Sequence, residues 1–570
     1  MMDTFDRLDI QELPISSPLF RQEVEEFLSA NGLRLEDVDV YCTIQSPDGH
    51  ILAGGGIRKD VIKCVAVSEA ARSGGLAAPL ISRLIAIGAE NGYTDLKVFT
   101  KPENRAIFES LGFHLLAEAP KAILMENGRG LEEYVSSLRR YAVSGRNGVI
   151  VMNANPFTLG HRYLVEQAAA QVDRLVVIPV REESSRFLYA DRLDMIRKGC
   201  GKLAMVPEGS DYQISAATFP TYFLKDLSDA SETQMRLDLD LFGRHIAPAL
   251  GATVRFVGSE PSDLMTARYN ELMEECLPAY GVRVVEIPRL CDQEGAVSAA
   301  RVRSVLDAGR ASWELTPASS WPYLAAELMV RALRTELDTP CKPGLVDPES
   351  RGGHSDMDYT LMSGSIDVIR NSYLRHREMD VISLGKAVEA DVLAYTGGVN
   401  TYRGAVFCQL LTVVAALGLR KEIPLSEPLD PALLSERIAS LASRIPPSVT
   451  SHGGRAVKAY GVKGALQMAC EGYLPLFRDW LPLYRSLTGD PWQKQKTLLG
   501  IMSSLDDTCL IHRAGFDRAR KVKEEALALL RDFSEERLKE MNVRFSAGGL
   551  SPGGCADMLA LTVLVDSLIH

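Results

Sequence analysis

Strand-like apolar runs stop at about Trp321, and almost everything beyond that point repeats with helical spacing. Before it, short β-branched runs alternate with amphipathic stretches. After it come "SIDVIRNSYLRHREM", "GAVFCQLLTVVAALGL" and "FDRARKVKEEALALLRDF". Hydrophobic period is the main determinant of secondary structure, so this chain must build two kinds of core. Its 570 residues also exceed one core, since domains typically span about 100–200 residues. The segment "RASWELTPASSWPY" (310–323), rich in proline, serine and threonine, is the predicted linker.

Within the first part the texture divides again. "VDVYCTIQS", "ILAGGGI" and "VIKCVAV" read as strands, and "PLISRLIAIGAENG" as a helix stopped by glycine. From Gly148 to Gly309 the runs "GVIVM", "RLVVIPV", "ATVRFVG" and "VRVVEI" alternate with helices, the pattern of a parallel, doubly wound sheet. The expected fold is multidomain: an α+β domain over 1–140, an α/β doubly wound, Rossmann-like domain over 141–315, and an all-α domain over 322–570. The stretch "ARKVKEEALALLRDFSEERLKEM" reads as one solvated amphipathic helix without chemistry.

The net charge of −11 argues against a nucleic-acid partner gripped by a basic surface. The acidic start "MMDTFDRLDI" lacks a signal-peptide core, and the longest apolar runs, such as "LLTVVAALGL", are about half a membrane span. Ten cysteines without a C-x-x-C pair fit reduced thiols. A cytoplasmic protein with no membrane partner is expected.

Three sets of residues carry chemistry. In "RSGGLA", Arg72, Gly75 and Ala77 form an R-x-x-G-x-A turn whose N–H groups can cradle a pyrophosphate. This turn, with "NRAIFESLGF", resembles the GNAT acetyltransferase fold and its acetyl-CoA loop. The second set follows "GVIVM". Asn155-Pro156-Phe157-Thr158-Leu159-Gly160-His161 leaves a strand at the edge where doubly wound sheets bind ligands. Gly160 admits a phosphate close to the backbone, Thr158 offers a hydroxyl, and His161 can donate an N–H as charge builds. Taken alone, the turn reads equally well as a capping threonine with a surface histidine.

T-x-G-H resembles the T/H-x-G-H signature of nucleotidyltransferases. "VSAARVR" resembles their second signature, I-S-x-x-x-I/V-R, with Val297 for isoleucine. Ser298, Arg301 and Arg303 would then hold the phosphates of ATP from the other side. With "EESSRFLYADRLDMI", "ATFPTYFLK", "APALG" and "RFVGSEP", the region resembles citrate lyase ligase over about residues 5 to 315. That resemblance implies formation of acetyl-adenylate and pyrophosphate from acetate and ATP. The acetyl group then passes to the thiol of the prosthetic group on the citrate lyase acyl carrier subunit. "SSRF" (184–187) is a further candidate for lining the site.

The third set lies in polar, glycine-containing stretches between the C-terminal helices: "CKPGLVDPESRGGHSDMD", "TGGVNTYRG", "SHGGRAVKAYGVKGA", "LDDTCLIHRAG" and "GGLSPGGCADMLA". They gather Lys342, His354, Asp356, Asp358, Arg403, His452, Arg455, Lys458, Lys463, Asp507, His512, Arg513 and Asp557, a mixture of cations and carboxylates suited to a polyphosphate with Mg²⁺. Ser551, Gly553 and Gly554 in "GLSPGG" look like an anion-binding turn opening a helix.

The set resembles triphosphoribosyl-dephospho-CoA synthase over about residues 325 to 570. The implied reaction joins the ribosyl carbon of ATP to a hydroxyl of dephospho-CoA and releases adenine. Asp356, Asp507 and Asp557 are the carboxylate candidates, as base or, for Asp356 and Asp507, as Mg²⁺ ligands. The chain departs from the family pattern at Cys341 in "TPCKPG", at Tyr402-Arg403 where T-H-K-G is usual, and at Cys509 where D-T-N is usual. The two resemblances together imply a bifunctional enzyme of citrate lyase maturation. The rival readings are an adenylyltransferase of CoA-type biosynthesis and a non-catalytic scaffold that binds a CoA-like arm.

Overall fold

The computed structural model describes residues 9–182, 185–215, 218–224, 230–260, 263–447 and 459–569. They form two compact units. One comprises residues 1–155 and 160–296, the other 156–159 and 297–570.

The first unit contains two larger sheets and a two-stranded hairpin, Cys291–Asp292 with Gly295–Ala296. The larger has seven strands: β1 (Ile10–Leu13), β2 (Val40–Gln45), β3 (Ile51–Arg58), β4 (Val61–Val67), β5 (Leu96–Thr100), β6 (His114–Ala119) and β7 (Ala122–Asn127), in the order β1-β2-β3-β4-β5-β7-β6. All neighbours are antiparallel except β4 and β5, which pair in parallel only at Val61–Lys97 and Ile62–Val98. Beyond those two residues the strands part. Helix Ala77–Glu90 buries Leu80, Ile81, Leu84 and Ile87, an i, i+1, i+4, i+7 stripe on one face.

The smaller sheet has four parallel strands, β8 (Asn147–Met152), β9 (Arg174–Pro179), β10 (Ala252–Gly258) and β11 (Arg283–Ile287), ordered β11-β10-β8-β9. The chain runs outward from β8 to β9 and then crosses back past β8 to β10. The strand order therefore reverses between β8 and β10, and ligands of such sheets bind beyond the carboxyl ends at that point. One apolar core runs through both sheets, joining Leu116, Leu124 and Leu131 to Leu239, Leu241 and Phe242. Two hydrogen bonds to backbone add to the join: Tyr222 Oη donates to Phe99 O at 3.1 Å, and Glu118 N donates to Asp240 Oδ2 at 2.7 Å.

The second unit is almost wholly helical. Its central helix, Gly553–Leu568, is apolar on every side and packs against Trp321–Leu337, Arg403–Arg420 and Gln493–Ser504. Arg403–Arg420 is long and apolar enough to cross a bilayer, and two-thirds of it is buried inside the unit. All ten cysteines are unpaired.

Two expectations are corrected here. The segment 310–323 is not a linker. Ala311, Ser312, Trp313, Leu315, Thr316, Ser320, Trp321 and Tyr323 are all buried in the helical unit. Trp313 and Trp321 meet edge to face at 6.1 Å, and Trp313 Nε1 donates to Leu568 O at 3.1 Å. The serines and threonines that suggested flexibility make turns instead: Ser320 Oγ donates to Phe157 O at 2.7 Å, and Thr316 O accepts the Trp321 indole at 3.0 Å. Composition alone cannot separate a linker from a turn-rich core when two indoles anchor it.

The stretch read as one solvated helix is two, Phe516–Arg531 and Glu535–Ala547. Ser534 caps the second by accepting from Arg537 N, and both bury a face, through Val522 and Leu529 and through Leu538, Met541 and Phe545.

Candidate active site

At the carboxyl edge of the parallel sheet the loops after β8 and β9 are bound together by one buried guanidinium. Arg192, fully buried on helix Tyr189–Cys200, donates to Asn153 O at 2.8 Å, Asn153 Oδ1 at 2.7 Å, Val180 O at 2.9 Å, Glu182 O at 2.6 Å and Phe187 O at 3.1 Å. Its five N–H donors in a rigid fork suit this task, which a lysine could not perform. Asn155 Oδ1 accepts from Phe187 N at 3.1 Å, so the turn is tied to the β9 loop a second time. Arg192 was not among the predicted site residues, because an arginine in mid-helix looks like a surface charge.

Thr158 is fully buried and His161 partly so, the latter in the first turn of helix Leu159–Ala169. Burial, reinforced by the Arg289 guanidinium, lowers the His161 pKa to about 4. The imidazole is therefore neutral near pH 7, a hydrogen-bond donor through one nitrogen rather than a cation. Arg289, just past β11, donates to Ser259 O at 2.6 Å and pairs with Glu260 at the end of β10. It too went unpredicted.

Ser298 caps helix Ala299–Asp307, accepting from Arg301 N at 3.2 Å, and Val302 and Leu306 bury the helix. Arg301 and Arg303 are partly buried. The unit boundary falls inside the T-x-G-H turn. Thr158 belongs with Ser298, Arg301 and Arg303, and Gly160 and His161 belong with the parallel sheet. In the "SSRF" stretch Ser184 lies outside the described residues, Ser185 is partly buried and Arg186 is exposed. On the seven-stranded sheet, Arg72 is exposed in a 3₁₀ turn, Gly75 has φ 66°, and Ala77 opens the following helix.

In the helical unit three of the five polar stretches meet. His354 contacts Ser551 Oγ at 2.7 Å through Nε2 and Arg513 Nη2 at 3.1 Å through Nδ1, and Asp356 lies 3.7 Å from the same Nδ1. Burial and the Arg513 charge lower the pKa of His354. Glycines make this approach possible. A side chain at Gly344 would overlap Leu550 O, and one at Gly353 would crowd Gly549. Gly344 also has φ 73°, a conformation that favours glycine. Asp356 is exposed, the only one of the three predicted carboxylates with its oxygens turned to solvent.

Four assignments change. Lys342 is fully buried, and its ammonium donates to Glu336 O at 2.6 Å and pairs with the Glu336 carboxylate, so it is not free for a phosphate. Asp507 caps helix Thr508–Ala514 through Cys509 N at 2.8 Å and Leu510 N at 3.0 Å, and its second oxygen takes Cys555 N at 2.9 Å. Both oxygens are committed to backbone, which makes Asp507 a tie between two helix starts rather than a base or Mg²⁺ ligand. The same contact occupies the Ser551-Gly553-Gly554 turn with a carboxylate, so that helix start is already neutralised. Arg403 is exposed and paired with Glu389 at 2.9 Å. His512 is exposed, and His452, Arg455 and Lys458 lie outside the described residues.

A cavity of about 360 Å³ beside Asp507 has mostly apolar walls, including Met502, Leu510, Phe516 and Val522, and is unsuited to a triphosphate. Asp557, largely buried, lies against Gly404, with the backbone of Ala405 nearby. Among the described residues no three His, Cys, Asp or Glu side chains converge as a metal cage. An exposed Asp356 fits the way Mg²⁺ is usually held, by one or two carboxylates with substrate phosphates supplying the rest.

Residues 147–324 match the family described as citrate lyase ligase C-terminal domain, and residues 322–570 match ATP:dephospho-CoA triphosphoribosyl transferase. The citrate (pro-3S)-lyase ligase of Escherichia coli K12 is 45% identical over 295 residues, 50% of this chain and 84% of that protein. The corresponding ligase of Haemophilus influenzae is 39% identical over 335 residues, 56% of this chain and 98% of that protein. A protein of Azotobacter vinelandii named "Probable 2-(5''-triphosphoribosyl)-3'-dephosphocoenzyme-A synthase" is 34% identical over 267 residues, 43% of this chain and 90% of its own length. The chain belongs to the citrate lyase ligase family over its first half and to the triphosphoribosyl-dephospho-CoA synthase family over its second.

Proposed function

We propose that this chain is a bifunctional enzyme of citrate lyase maturation, a ligase and a transferase in one polypeptide. The observation that carries this reading is the presence of both families, each nearly entire, in consecutive stretches.

In the ligase reaction acetate attacks the α-phosphorus of ATP and pyrophosphate departs. The acetyl-adenylate then acylates the prosthetic-group thiol of the citrate lyase acyl carrier subunit, releasing AMP. Such transfer needs positioning and charge stabilisation rather than a protein nucleophile. Gly160 and His161 receive the phosphates at the reversal point of the parallel sheet, and Thr158 completes the first signature. Asn155 and Arg192 hold that turn in shape, and Ser298, Arg301 and Arg303 supply the second signature. The neutral His161 donates its N–H to a phosphate oxygen as the leaving group gains charge.

In the transferase reaction ATP gives up adenine and its ribosyl carbon bonds to a hydroxyl of dephospho-CoA, with the triphosphate retained. Asp356 would hold Mg²⁺ against the triphosphate, and the ion would neutralise phosphate charge. His354, Arg513 and Ser551 flank it. Supporting this placement is the convergence of His354, Asp356, Arg513 and Ser551 from three separated stretches.

The purified chain should release pyrophosphate from ATP only when acetate is present, and adenine only when dephospho-CoA is present. Chromatographic separation of adenine, AMP and ATP reads both. Pyrophosphate release that follows phosphopantetheine instead of acetate would replace the ligase reading by an adenylyltransferase. Release of neither product would leave a binding scaffold.

A further inference from the structure

Two carboxylates sit near the start of the central helix Gly553–Leu568, and their surroundings differ. Asp507 spends both oxygens on three backbone N–H groups. Asp557, one turn into the helix, has none of these three donors and packs against Gly404. Tyr402 stands two residues before Gly404, against which the Asp557 carboxyl packs, and Tyr473 is a second buried phenol within reach of its charge. Tyr402 and Tyr473 are only 3% and 1% exposed, and neither hydroxyl has a hydrogen-bond partner among the described residues. Burial raises both phenol pKa values, followed by the charges of Glu336 and then Asp557 at Tyr402, and of Cys408 and then Asp557 at Tyr473. Buried hydroxyls left unpaired are costly and uncommon, so two of them within range of one carboxyl's charge mark a place built for a polar partner.

We propose that Asp557 is the acid that protonates the departing adenine, with Tyr402 and Tyr473 as positioning residues around it. The assignment rests on the transferase reading above. As the bond between the ribosyl carbon and adenine N9 breaks, its electron pair stays with the base. The Asp557 proton passes to a ring nitrogen, so adenine leaves neutral. The ribosyl carbon shares its positive charge with the ring oxygen until the hydroxyl oxygen of dephospho-CoA bonds to it. The proton of that hydroxyl returns to the Asp557 carboxylate, and the acid is restored. Burial, with Asp507 and Glu336 nearby, raises the Asp557 pKa well above the usual carboxylate range, in keeping with a group that starts protonated.

The test uses the full chain with Mg²⁺, dephospho-CoA and either ATP or N7-methyl-ATP, whose cationic base departs without needing a proton. Asp557→Asn should lower adenine release from ATP by roughly 10²–10⁴-fold, the usual worth of a general acid. Release of 7-methyladenine by the same variant should stay within about tenfold of wild type, and acetate-dependent pyrophosphate release should be unchanged. Gly404→Ala is the second variant. Its new Cβ would overlap Asp557 Oδ2 and push the carboxyl aside, so adenine release should fall by about tenfold or more without loss of folding. Asp557→Asn with near-wild-type release from ATP, or equally inactive on both nucleotides, would overturn the assignment. Wild-type protein that releases no adenine would sink the transferase reading itself.

Discussion

Replacing His161 with alanine is expected to lower acetate-dependent pyrophosphate release by about 10²–10³-fold, the usual cost of deleting a donor aimed at developing charge. Adenine release should stay at the wild-type rate, because the two reactions use different residues. The sign of the pH effect follows from the depressed pKa. Folding favours the neutral imidazole, whose pKa is about 4 in the protein against about 6.5 in an unfolded chain. His161 therefore contributes stability above pH 6.5 that is lost as the pH falls toward 4. Its ring resonances in an NMR titration should not shift between pH 8 and pH 5.5. A midpoint near 6.5 would mean that the ring is solvated and the site is not formed as described. Equal loss of both activities on substitution would refute the separation of the two sites.

The largest expected effect on stability comes from the pair Lys342 and Glu336. Lys342→Met leaves the Glu336 carboxylate buried and unmatched, at a cost of about 3–5 kcal/mol. Replacing Glu336 by leucine as well should recover most of this, since an apolar pair of similar volume is often as stable as a buried ion pair. The readout is the melting midpoint of the full chain: lowered in the single variant, largely restored in the double. Failure of the double variant to recover would mean that the lysine also serves the Cys341–Gly344 turn by a route its hydrogen bonds do not reveal. If the lysine instead held a phosphate, Lys342→Met would leave the midpoint unchanged and abolish adenine release.

Secondary structure was largely legible in the sequence, because period and stop signals were strong. The four parallel strands and the three quoted C-terminal helices appear where the apolar spacing put them. Glycine-containing stretches also pointed correctly to a meeting place in the helical unit, since backbone can pack on backbone only where side chains are absent. What the sequence concealed was the use made of charge. Lys342, Asp507 and Arg192 are ionised residue types in polar surroundings, and chain order does not say whether such groups face a ligand, another side chain or a carbonyl. Burial decides it. Lys342 turned inward to Glu336, Asp507 turned to three N–H groups, and Arg192 was spent on loops.

Ancestry and packing divide this polypeptide at different places. Residues 297–321 descend with the ligase, whose family match runs to residue 324, yet they fold as part of the helical body. Ala311 N bonds Ser567 O at 2.9 Å, and the Trp313 indole bonds Leu568 O, so this ligase-derived strip closes off the far end of the transferase's innermost helix. A gene cut at the seam between the families would strip two tryptophans' worth of cover from one enzyme and leave the other with a sticky tail. Exchanging either half for a relative's would have to preserve the Ala311 and Trp313 bonds that close this helix end.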